Sequence, residues 1–289
     1  MPQTIHLRAY LAKLDDLLRT NATDEAILHC RHILKTYPKN VATYRQLGRA
    51  LLYNARWDEA DAVLRRVLAA VPNDAIAHAG LSEIRQEQNR GNDAIWHLER
   101  ALEQDPNNQE LLNTLTELYQ HYRNTDATRI QLTSGAVARQ YARAGRYEQA
   151  AETLRSALEK QPNRLDLRVL MAEMLWEAGR HVEAAEIALD VLETLPDCLS
   201  ANAILARLWL QEGRPSDAQH YVNRLESLDP YLALEIATGT EAPDDAFVLT
   251  ELDYRRHATE MLTSSRPEWL EALSGSESPA GEPDRPDAN

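Results

Sequence analysis

Gly145 to Asn163, GRYEQAAETLRSALEKQPN, reads as the end of one helix, the whole of a second and the stop that follows it. Gly145 closes an apolar helical run and takes the positive φ that ends a helix without steric penalty, while Glu148 sits near the positive end of the next helix. Ala150 is small where two helices approach, Leu154, Ala157 and Leu158 continue that face at helical spacing, and Pro162 forbids further helix. The unit is a helical hairpin with one apolar face, and that face needs neighbours to cover it.

The copies keep step. Aligned on the closing proline, the stretch recurs at Pro38, Pro72, Pro106, Pro162, Pro196 and Pro230, at intervals of 34, 34, 56, 34 and 34. Twelve positions before each proline stands Ala26, Ala60, Ala94, Ala150, Ala184 or Ala218. Tyr44, Leu47, Gly48, Leu51, Ala60, Leu64, Val67 and Pro72 give the fullest version of an aromatic, a Leu and a small residue followed by a later Ala and Pro. In period and pattern, residues 7 to 230 or so resemble the tetratricopeptide repeat. The resemblance implies an all-α chain, a right-handed α-solenoid of helical hairpins.

Composition agrees. The chain has 289 residues, 44% hydrophobic and 26% charged, with a single Phe and no run alternating with the period of a strand. Of the net charge of -14, residues 235 to 289 carry 13 acidic and 4 basic side chains, hence -9, and the rest carries -5. That balance argues against nonspecific nucleic-acid binding and against anionic membranes, which need a positive field. No apolar run reaches membrane-spanning length, so no membrane insertion is expected. Two cysteines, Cys30 and Cys198, are too few for a secreted disulfide framework and favour a cytoplasmic location. Asp15 and Asp16 fall where a signal peptide needs an apolar core, so MPQTIHLRAYLAKLDDLLRT is expected to form the first repeat helix, from about Ile5 to Arg19.

The spacing divides the chain into an N-terminal repeat block over 1–123, a C-terminal block over 124–232, capping helices over 233–263 and an acidic tail over 264–289. Repeat one lacks the turn glycine, as a terminal cap often does. Asn73 and Asn107, after their prolines, are expected to cap the next helices. The 56-residue interval is one repeat plus 22 residues, and 124–131 is an irregular junction. There a helix capped by Asp126 is expected to run through Ile130, Val137 and Tyr141, and a break in the superhelix and a merely degenerate repeat are both open. Asp244 to about Leu262 reads as a final helix with Val248, Leu249, Leu252 and Leu262 inward. The tail is too polar to fold alone, except for a short motif over 267–273 that gathers Trp269, Leu270 and Leu273. It is suited to docking in a helix-lined groove, of this chain or another, or to packing on the cap.

No phosphate-binding glycine loop, nucleophile elbow or paired-histidine zinc helix occurs. His29, Cys30 and His32 are the nearest approach to a metal cluster, but Cys30 belongs to the core-facing positions and no further ligand stands near, so no metal and no cofactor is expected. His78, His97, His121, His181 and His220 are spread over different repeats, and Trp57, Trp96, Tyr147, Trp176 and Trp209 fit packing positions better than a stacking platform.

In the family, the first helix of each repeat lines a concave groove. The resemblance places ligand contacts at Arg45, Arg49 and Tyr53, at Glu83, Gln86 and Glu87, and at Asn113 and Glu117. Beyond the junction it places them at Arg139 and Arg143, then Glu173, Trp176 and Glu177, then Arg207 and Gln211. The Lys, Asn and Arg cluster with which some members hold a terminal carboxylate is absent, because Leu11, Asp15 and Gln46, or Arg45, Arg49 and Gly80, stand at its positions. The expectation is a non-enzymatic protein-protein interaction scaffold that holds a peptide or helix of a protein partner. The alternative is an accessory or regulatory subunit whose catalytic domain lies on another chain.

Overall fold

A computed structural model of the chain describes residues 4–123 and 132–254. The junction over 124–131 and the tail motif of Trp269, Leu270 and Leu273 lie outside these described residues. Strand β1 (Thr4–His6) leads into the antiparallel pair α1 (Leu7–Arg19) and α2 (Thr23–Thr36). The pairs α3 (Val41–Tyr53) with α4 (Trp57–Ala70) and α5 (Ala75–Glu87) with α6 (Gly91–Gln104) follow, then α7 (Gln109–Arg123). Three more pairs complete the stack: α8 (Ser134–Arg143) with α9 (Tyr147–Lys160), α10 (Leu165–Glu177) with α11 (His181–Thr194), and α12 (Leu199–Gln211) with α13 (Pro215–Leu228). The described chain closes with α14 (Pro230–Thr238) and strand β2 (Val248–Thr250). Among the described residues the fold is an all-helical solenoid apart from this one strand pair.

Each hairpin is made by the same two devices. The repeating alanines Ala26, Ala60, Ala94, Ala150, Ala184 and Ala218 are all buried at the contact within a hairpin, where a larger side chain would hold the helices apart. Between the two helices one residue takes a left-handed conformation: Asn21, Ala55 and Asn89 at φ 60°, 50° and 56°, then Gly145, Gly179 and Gly213 at 70°, 79° and 69°. These six positions share one place in the repeat, so the first half of the chain makes with Asn or Ala the turn that the second half makes with Gly.

First helices stack on first helices: α1 on α3, α3 on α5, α10 on α12 and α12 on α14. Their shared side is the inner layer of the solenoid. The starts of α3, α5 and α7 are capped by side-chain oxygens, with Asn40 accepting from Thr43 N at 2.9 Å, Asp74 from Ala77 N at 2.8 Å and Asn108 from Leu111 N at 3.1 Å. The caps are thus Asp74 and Asn108, one residue later than the expected Asn73 and Asn107. The expected continuous helix from Asp126 to Ala144 is also corrected. Thr133 is extended, its Oγ1 accepts from Ala136 N at 3.2 Å, and α8 begins only at Ser134.

The C-terminal reading needs a larger correction. Val248 to Thr250, expected as helix, form a strand antiparallel to Thr4–His6, with Ile5 opposite Leu249. Leu249 and Leu252 point inward as expected, but Val248 is exposed, because alternation along a strand replaces the helical face. Leu228, Tyr231, Ala242 and Leu249 thereby join the core built by Leu7, Tyr10, Leu14 and the helices up to Ile84. The two ends of the solenoid are fastened together. Arg8 pairs with Asp244 at 2.6 Å and lies 4.1 Å over the Tyr231 ring, Lys13 pairs with Glu251 at 2.6 Å, and Lys39 pairs with Asp197 at 3.1 Å.

Candidate partner-binding face

Of the fifteen positions assigned to the groove, all but Arg139 are exposed or half-buried. Tyr53 at the end of α3 is the most open, a large ring 61% exposed. The arginines of α3 are already engaged: Arg45 donates to Asp74 at 2.6 Å, and Arg49 donates to Asp15 at 2.7 Å and Gln46 at 2.8 Å. Arg143 donates to the Gln104 carbonyl, and Asn113 accepts from Gln109 at 2.8 Å. Glu83 and Glu87 stand together on the exposed side of α5, and the Glu83 carboxyl is raised by desolvation first and by Glu87 second. Glu117 on α7 and Glu177 on α10 are exposed, whereas Trp176 is half-buried and stacks on His181 with centroids 4.2 Å apart. Arg207 is half-buried and Gln211 exposed on α12.

Arg139 is the exception, 7% exposed on α8. The structure brings it to a polar joint that sequence spacing did not disclose. At that joint Arg164, before α10, makes a two-point pair with Asp166 at 2.7 and 2.6 Å and reaches Glu103 of α6 at 3.1 Å. Arg100 lies 3.1 Å from the other Glu103 oxygen. Gly135 opens this space, since a Cβ there would lie 2.3 Å from Glu103 Oε2. The available signal was charge on the wrong side of a helix: Arg100 and Glu103 alternate with the core residues Leu98, Ala101 and Leu102.

His78 and His97, read as unrelated, are corrected to neighbours: their Nδ1 atoms are 3.0 Å apart across the α5–α6 hairpin. His78 Nε2 lies 3.0 Å from the Pro72 carbonyl, so it carries the proton, His78 Nδ1 accepts, and His97 Nδ1 donates. Both rings are neutral, and burial drives His78 down to about 4. The bond to the proline carbonyl is a repeat feature, made by Tyr44 to Pro38 at 2.7 Å and by Asn202 to Pro196 at 3.0 Å.

The histidines beside Cys30 are occupied. Tyr10 hydroxyl accepts from Leu252 N at 3.1 Å and so donates to His29 Nδ1 at 2.6 Å, while His32 Nε2 donates to the Thr250 carbonyl at 2.7 Å. Cys30 and Cys198 are free, buried thiols, and burial pushes Cys198 up to about 12. Among the described residues no three His, Cys, Asp or Glu side chains are grouped to hold a metal, and no helix is long and apolar enough to cross a membrane.

Stacked helix pairs with an inner layer of first helices define a helical-repeat scaffold. The tetratricopeptide repeat family model matches residues 17–84 and 141–201, so these two stretches are tetratricopeptide repeats, a fold that serves protein-protein interaction. Curated proteins offer no significant match to the sequence. Among solved structures the chain is similar to Pseudomonas aeruginosa pilF, with 17% identity, 81% of this chain and 97% of that one covered, and a TM-score of 0.31. It is also similar to a tetratricopeptide repeat protein from Parabacteroides merdae, with 14% identity, 80% and 97% covered, and a TM-score of 0.39. A third is YrrB, described as a TPR protein with an unusual peptide-binding site, with 16% identity, 72% and 97% covered, and a TM-score of 0.32.

Proposed function

We propose that the protein is a non-catalytic scaffold that holds a peptide or helix of another protein against the inner layer of first helices. The observation that carries this reading is Tyr53. A ring 61% exposed at the end of a first helix is apolar surface that a monomer gains nothing by showing, and aromatic side chains are the usual anchors of an interface. Exposed polar groups on other first helices, Glu83 and Glu87 on α5, Glu177 on α10 and Gln211 on α12, add hydrogen-bonding capacity.

The test is affinity capture with the full chain, with Tyr53→Ala combined with Glu177→Lys as the comparison. The expected result is a polypeptide retained by the wild type and lost from the double variant while its circular dichroism stays unchanged. Equal retention by both, or catalytic turnover in the purified single chain, overturns the proposal.

A further inference from the structure

In three later repeats the fourth residue of the first helix bonds the carbonyl of the proline six positions upstream: Tyr44 with Pro38 at 2.7 Å, His78 with Pro72 at 3.0 Å and Asn202 with Pro196 at 3.0 Å. Tyr10 stands at that place in repeat one, but six positions upstream of it is Thr4, a residue of β1. Its hydroxyl instead accepts from Leu252 N at 3.1 Å, at the far end of the chain.

The groups that hold residues 244–252 treat them as a bound strand. β1 pairs with Val248–Thr250, the Leu7 N–H donates to the Phe247 carbonyl at 2.8 Å, and His32 Nε2 donates to the Thr250 carbonyl at 2.7 Å. Leu249 and Leu252 are each 6% exposed, and Phe247 is half-buried and edge-on to the Tyr231 ring. Two basic side chains of α1 take the acids, Arg8 with Asp244 and Lys13 with Glu251, each at 2.6 Å. Main-chain bonds with pockets for spaced side chains are how an added strand is recognised. The link that delivers this segment from α14 contains no helix or strand over 239–247, and over 239–246 every residue but Ala242 is exposed. Everything that seats the segment is therefore short-range chemistry that a separate peptide can supply.

We propose that β1, α1 and α2 form a strand-addition site for an extended segment of another protein, filled in the free chain by residues 244–252. The segment it fits has an acid three places before an aromatic, leucines two and five places after that aromatic, and a second acid beside the last leucine. Binding exchanges like for like: the partner's acids replace Asp244 and Glu251 on Arg8 and Lys13, and its leucines keep Leu7 and Tyr10 from water. The tethered segment acts as a built-in competitor, because a tether holds it at roughly millimolar effective concentration. This site goes beyond the inner layer, since the groups that build it are not among the fifteen groove positions.

The probe is a synthetic peptide with the sequence of residues 243–254, PDDAFVLTELDY, added to the full chain. Val248→Cys carries a trifluoromethyl label on β2, because Val248 is 48% exposed while the native Cys30 and Cys198 are buried. The expected result is a second ¹⁹F signal that grows saturably with peptide up to about 10 mM, as the tethered strand is displaced. In Leu249→Asp combined with Leu252→Asp, which releases the tethered strand, dye-labelled peptide should bind about tenfold more tightly than to wild type, and adding Lys13→Glu should weaken it about fivefold. Absence of a second signal across that range overturns the inference whether or not the double variant folds. The same signal with a peptide carrying Asp in place of both leucines, or binding that Lys13→Glu leaves unchanged, overturns it as well. A second signal that grows with protein concentration and no peptide gives the site to a second copy of this chain and overturns its assignment to a separate protein.

Discussion

Arg164 reaches Glu103 across 61 residues of sequence, 3.1 Å from its Oε2, and both side chains are buried. Around this contact, among the described residues, the apolar core of α8 to α12 stays separate from that of α6 and α7, and ion pairs bridge this joint. Arg164→Met removes the donor shared by Glu103 and Asp166 and leaves Asp166 without its two-point partner. The expected loss is about 3 kcal/mol of unfolding free energy, measured by urea denaturation. Adding Asp166→Asn and Glu103→Gln to that variant should restore part of it, and additive losses across the three sites would show that the contact is not coupled.

Ala55 occupies the left-handed turn position at φ 50° where the later repeats have glycine. A Cβ in that conformation is strained by roughly 1 kcal/mol, and glycine relieves the strain at the price of a more flexible unfolded chain. Ala55→Gly should therefore stabilise the protein by up to about 1 kcal/mol, while Gly179→Ala, which moves the φ 79° position the other way, should destabilise it. Matching melting temperatures for wild type and Ala55→Gly would show that the turn carries no strain.

The period of 34 was legible because Ala, Pro and turn residues at fixed offsets each act within one hairpin, where sequence distance and spatial distance agree. Strand β2 was not, because three residues are too few to establish alternation, and its partner Thr4–His6 lies more than 240 positions away. The candidate groove positions came from the resemblance, which carries no sign of the difference between an engaged Arg45 and an unpartnered Arg139. That difference depends on where Asp74 caps α5 and on how α6, α8 and α10 converge.

His78 and His97 make stability depend on pH. In the fold His78 resists protonation down to about 4, whereas an imidazole in the unfolded chain takes up a proton near 6.5. Between these values the unfolded state binds more protons, so stability that is fully present above about pH 6.5 is lost as pH falls toward 4. Burial displaces His97 in the same direction. The limiting slope is about 1.4 kcal/mol per pH unit for each ring. His78→Tyr places at this position the hydroxyl with which Tyr44 reaches Pro38, and it removes one titrating group. Urea unfolding at pH 7, 6 and 5 should give a shallower decline for that variant, and parallel declines would assign the pH dependence to other groups.

The fastening of the two ends makes a prediction about where the chain opens first. A solenoid holds itself together by contacts between neighbours, so damage at one contact loosens the helices beside it before distant ones. Leu249 covers the core of α1 from β2, and the Leu7 N–H donates to the Phe247 carbonyl at 2.8 Å, so the first helix depends on a segment from the far end of the chain. Leu249→Ala removes buried apolar volume at that seam, with an expected loss of about 2–5 kcal/mol of local stability. Amide exchange should then accelerate in β1, α1 and β2, while α10 and α11 keep their protection. Equal acceleration in α10 and α11 would mean that the fastened ends have turned the stack into one cooperative ring, in which no repeat unfolds without the rest.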